Sequence, residues 1–173
     1  MSLTWSVVGA GLVCAVVAAT PAAADPPPAA PASGSCDGGS TTWHAASPGV
    51  TVVARPANFR LGGQVTGCQI QGIRSGTVAG TSNEENVNCF GPHSGPADLT
   101  ITWNDGRQSH LVGDWRWDLA NRATSTLDVV DGVAQGRKAT VVIEPPDESP
   151  AAVSGCISGL TFGRFRIVSV KVD

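Results

Sequence analysis

The chain has 173 residues, a net charge of −3 and only 14% charged side chains. That balance excludes the basic face a nucleic-acid binder needs. The complete absence of tyrosine argues mildly against a large aromatic recognition surface.

Met1 to Ala24 carry no charged side chain, and Trp5 to Ala19 are nearly all apolar. The stretch ends in Thr20-Pro21-Ala22-Ala23-Ala24, a small-residue cleavage pattern ahead of Asp25. Residues 1–24 therefore read as a secretory signal peptide cleaved after Ala24. No Lys or Arg precedes the apolar run, so an uncleaved anchor is the alternative, the run being close to the ~20 residues of a spanning helix. Pro21 and the alanines favour cleavage. Cys14 sits mid-run without a polar segment after it, against a lipoprotein signal, and no arginine pair supports twin-arginine export.

Asp25 to Ser35 is rich in Pro and Ala and reads as a stiff, solvated linker. The foldable unit is then 36–173, one domain by size. With Cys14 removed, Cys36, Cys68, Cys89 and Cys156 remain. An even number in an oxidising compartment predicts two disulfides. Cys36–Cys68 with Cys89–Cys156 is preferred: the first ties the domain's start to its second strand, the second a mid-chain strand to the last.

The domain reads as all-β. Val50–Arg55 is a first strand candidate, Phe59–Gln71 a second and Ile73–Thr81 a third. Ser82-Asn83-Glu84-Glu85-Asn86 reads as a polar turn, Val87–Phe90 as a short strand and Gly91–Pro96 as a loop. Leu99, Ile101 and Trp103 alternate with threonines up to Asn104-Asp105-Gly106. Leu111, Trp115, Trp117 and Leu119 return on one face, with Asp114, Arg116 and Asp118 on the other. Asp-Gly between alternating runs is a hairpin signal. Thr124–Val130 and Arg137–Glu144 form a second hairpin, Pro145–Pro150 a loop and Leu160–Val172 a final strand. Several short strands punctuated by turns predict an antiparallel β-sandwich, immunoglobulin-like or related, with two disulfides.

Few lysines among many Ala, Gly, Pro and Val point to a GC-rich bacterial genome. The spacing of Cys36, Cys68, Ser75-Gly76-Thr77, Cys89, Thr102–Gly106 with Ser109, Gly132–Gly136 and Gly155-Cys156 resembles a group of small secreted four-cysteine proteins, mostly actinobacterial and of unknown function. The resemblance spans most of 36–172. It implies export and a β-rich fold, and supplies no site.

No nucleophile elbow, zinc-protease helix, phosphate loop or Cys-x-x-Cys pair occurs, so no catalytic residue, metal or cofactor is expected. His44, His93 and His110 lie in separate segments and read as solvated. Asp114 and Asp118 are ~13 Å apart along a strand, a poor fit to a glycosidase pair. Trp115 and Trp117 are the candidate binding residues, a sugar-stacking platform if exposed, but their apolar neighbours favour the core. The expected function is that of a secreted, non-enzymatic binding or interaction module with an extracellular or cell-wall partner. Membrane contact is expected only if residues 1–24 stay uncleaved. The alternatives are a structural envelope protein without a ligand and, below it, a carbohydrate-binding module or secreted hydrolase.

Overall fold

The computed structural model describes residues 32–145 and 155–173, through which nine strands run. They are β1 (Gly34–Cys36), β2 (Gly38–Ala45), β3 (Arg55–Ile70), β4 (Ile73–Val87), β5 (Pro92–Trp103), β6 (Gln108–Asp118), β7 (Ala123–Gly132), β8 (Lys138–Glu144) and β9 (Phe162–Val172). The expected signal peptide, most of the linker and most of the 145–150 loop lie outside the described residues.

The sandwich expectation is overturned. From β2 to β8 each strand pairs antiparallel with the next, and β9 pairs with both β8 and β2. This closes a single eight-stranded antiparallel barrel, with no free edges of the kind two stacked sheets would leave. β1 continues the line of β2 along β9, pairing Gly34 with Val172. A period of two says which side chains share a face, and it is the same for one face of a sandwich and the inside of a barrel. Only the β2–β9 pairing, remote in sequence, separates the two.

The strands also depart from the expected bounds. Val50 makes only an isolated bridge to Leu160, and 51–54 is loop. β2 went unread because Gly38-Gly39-Ser40 masks its alternation. The polar run 82–86 continues β4, and 92–96 already belongs to β5. The tight primed hairpin lies at Gln71-Gly72, where both residues take positive φ. At 104–106 only Gly106 does (φ 86°), closing a three-residue turn with its N–H donating to Trp103 O at 2.9 Å.

The interior is filled by inward side chains from every wall. Gly163 leaves room for Trp43, whose indole lies 2.4 Å from where a Cβ would stand, and Gly76 does the same for Trp103 at 2.7 Å. Small-opposite-large pairing of this kind lets a narrow barrel close over aromatics. Cys36 is bonded to Cys68 and Cys89 to Cys156, the pairing preferred from sequence. Two disulfides fit an oxidising environment. Among the described residues no helix is long and apolar enough to cross a membrane.

Candidate functional site

The two ends of the barrel differ. At one end β3–β4, β5–β6 and β7–β8 are joined by short turns, and the polar interior is satisfied. Trp103 Nε1 donates to Ser109 Oγ at 2.8 Å, and Ser109 Oγ donates to Val133 O at 2.7 Å. The other end collects the longer connections: 46–54, 88–91, 119–122 and the segment leading through Cys156 to β9.

Beneath these loops lies a cluster that the sequence reading missed. Glu84, on β4, points into the barrel and is only 4% exposed. Trp117 Nε1 donates to its Oε1 at 2.7 Å, and Ser82 Oγ lies 3.4 Å from the same oxygen. His93 packs on Trp117 at 4.6 Å between ring centroids, and Trp43 stacks on Trp117 at 6.2 Å between centroids. Glu84 Oε2, His93 Nε2 and Trp43 Nε1 are buried without a hydrogen-bond partner among the described residues. Burial lifts the Glu84 carboxyl to about 7, against the lowering effect of the Trp117 and Ser82 hydrogen bonds.

Sequence placed Glu84 in a turn and His93 in a solvated loop because Asn, Glu, Gly and Pro dominate those stretches. Alternation carried the contrary signal: Ser82 and Glu84, like His93, Gly95 and Ala97, keep step with the inward residues of their strands.

This end of the interior is a packed core rather than a ligand chamber. Cavities of about 10, 30 and 10 Å³ follow one another inside the barrel. Each fits a water or two, whereas ligand pockets span ~300–1,000 Å³. Trp115 and Trp117, 5% and 3% exposed, belong to this core and offer no platform to a sugar. Asp118 leaves the outward face assigned to it: its side chain is buried and accepts hydrogen bonds from Ala120 N, Asn121 N and Asn121 Nδ2. Burial alone would raise its pKa, but these bonds outweigh it and hold the carboxyl below its ordinary value. His44 and His110 lie on the outer wall, His110 paired with Asp98 at 2.8 Å, away from inward His93. Among the described residues no three metal-ligating side chains converge.

No family model and no curated protein matches the chain.

The outer surface of the same end carries exposed apolar side chains. Val52, Val53, Phe90, Ile157 and Phe162 are exposed there, Phe90 at 67% and Ile157 at 81%. Of the large exposed hydrophobics among the described residues, only Val130 lies elsewhere, near the other end of β7. The loops are fastened to one another. The Cys89–Cys156 bond ties the loop that carries Phe90 to the short helical turn, 155–158, that carries Ile157, and Cys89 N donates to Thr51 O at 2.9 Å beside Val52. Val50 and Leu160 exchange backbone hydrogen bonds at 2.8 Å. The apolar tips are thus carried on a braced rim.

Proposed function

We propose that the protein is an exported, non-enzymatic interaction module that makes its contact through the loop end of the barrel. The observation that carries this reading is the gathering of exposed apolar side chains on one cross-linked rim. Scattered exposed hydrophobics are ordinary, but a contiguous group of them marks a contact surface. The filled interior supports surface contact over an enclosed small-molecule site. Of the buried carboxyls described at this end, Glu84 is held by Trp117 Nε1 and Ser82 Oγ among aromatic rings and Asp118 by the backbone and side chain of its own turn, an arrangement that favours a binding role over hydrolysis. Export is supported by the signal-like segment 1–24 and the two disulfides, and the resemblance of the four-cysteine layout to that of small actinobacterial secreted proteins agrees with it.

The test is fractionation of a secreting host. Replacing Phe90 and Ile157 together by Ser leaves the melting temperature within about 2 °C, since neither side chain is buried, and moves the protein from the envelope fraction to the medium. An unchanged distribution would refute the loop end as the contact surface.

A further inference from the structure

We propose that the loop end seats on an anionic lipid surface, its apolar tips entering the interface and the arginines of the adjoining wall meeting the headgroup phosphates. The inference rests on reading the loop end as the contact surface and names what that surface contacts. It departs from the sequence expectation, in which membrane contact required residues 1–24.

Two independent features carry it. The first is the vertical order of side chains. Val52, Val53 and Phe90 stand on loops, and Ile157 on a helical turn, among the connections at this end. One level down the outer wall, register places Arg60, His44 and Phe162 in a row across β3, β2 and β9. The His44 and Phe162 rings touch at 4.8 Å between centroids. Arg164 follows two residues beyond Phe162, ~7 Å further along the strand. Apolar groups on the connections at the tip and cations on the adjoining wall is the arrangement of a segment lying in a membrane interface, where acyl chains take the first and phosphates the second.

The second feature is charge. β9, β2 and β3 are consecutive in the wall, and none of them contains an Asp or Glu. Toward the loop end they carry Arg55, Arg60, Arg164 and Arg166. Arg166 is held by Glu144 of β8, which Arg122 also holds at 2.9 Å. Arg60 and Arg164 are exposed and enter none of the ion pairs found among the described residues. β4 contributes one exposed acid near the rim, Glu85. A net charge of −3 therefore coexists, among the described residues, with three neighbouring strands free of acids. A guanidinium suits phosphate because its planar fork donates two hydrogen bonds at once. β1 lies at the opposite end, with Gly34 paired to Val172.

The test is co-sedimentation of the oxidised, secreted protein with vesicles of phosphatidylcholine alone or with one-third phosphatidylglycerol. Binding is expected only to the anionic vesicles, and it weakens at 0.5 M NaCl as screening shortens the reach of the arginines. Phe90→Ser with Ile157→Ser is expected to lower partitioning at least tenfold with an unchanged melting temperature. Arg60→Ser with Arg164→Ser lowers it by roughly thirtyfold, two arginines contributing about 1 kcal/mol each near the surface. Failure to bind anionic vesicles, or binding that both double variants retain, overturns the lipid inference. If vesicle binding fails while the Phe90/Ile157 variant still leaves the envelope fraction, the contact surface stands and its partner is a protein or glycan. If that variant changes neither readout, both readings fall.

Discussion

Glu84 shows how one buried polar residue ties the core to solution conditions. Its carboxyl titrates near 4.5 when the chain is unfolded and near 7 in the barrel. Below pH 4.5 both states hold the proton and the shift costs nothing. Between 4.5 and 7 the unfolded state releases the proton while the folded state keeps it. Stability therefore falls as pH rises through this window, by about 3 kcal/mol in total at 1.36 kcal/mol per pKa unit. Glu84→Gln keeps the acceptor for Trp117 Nε1 and removes the charge. It is expected to flatten the dependence, so that chemical denaturation at pH 5 and pH 8 gives the same unfolding free energy, with the wild type less stable than the variant at pH 8. A wild type equally stable at both pH values would show that the carboxyl is not buried as described. The residue itself was legible as a carboxylate, but its burial was not. Five polar side chains in a row, Ser82 to Asn86, look like a turn until β3 and β5 are in place on either side.

At the scale of the element, sequence pattern told most where hydrophobic alternation was unbroken. β5 from Leu99, β6, the β7–β8 hairpin and β9 all carry regular apolar sets and sit close to their expected bounds. Glycine-rich stretches told less. β2 and the middle of β3 present Gly38-Gly39 and Gly62-Gly63, small residues that leave space for facing side chains and blur the period. The loops at the open end were read only as breaks, because what organises them is the Cys89–Cys156 bond and backbone pairing between segments far apart in sequence. That bond spans 67 residues, and loop closure gives it about 4 kcal/mol against the unfolded chain. Replacing both cysteines by Ser is expected to lower stability by roughly 2–4 kcal/mol while the barrel ladders persist. Amide exchange is the discriminating measurement: protection is expected to fall at position 89 and at Val50 and to remain at Leu111 and Val141. Uniform loss of protection across β5 to β8 would mean that the disulfide holds the barrel as well as its rim.

For the molecule as a whole, closure was the property hidden from the sequence. A meander of strands with one apolar face can fold into stacked sheets or curl until its ends meet. The choice here rests on β9 reaching both β8 and β2, a contact between the two ends of the domain that no local pattern announces. Closure also makes the connections of the short-turn end nearly interchangeable. Every strand from β2 to β9 has two neighbours, and Gly34 lies opposite Val172, so the ends of the domain are side by side. A circular permutant that joins Asp173 to Ala32 through a short Gly/Ser linker and opens at Asp105 breaks only the β5–β6 turn. It is expected to form both disulfides and to melt cooperatively within about 10 °C of the parent, since a surface-turn opening removes few interactions. Opening instead between Leu119 and Arg122 loosens the rim, where Asp118 organises the turn, and is expected to cost more. Tryptophan fluorescence reports both results, because Trp43, Trp103, Trp115 and Trp117 are all interior. A permutant opened at Asp105 that stays unfolded, with its cysteines oxidised at random, would show that the barrel depends on the continuity of the β5–β6 hairpin rather than on closure around the ring.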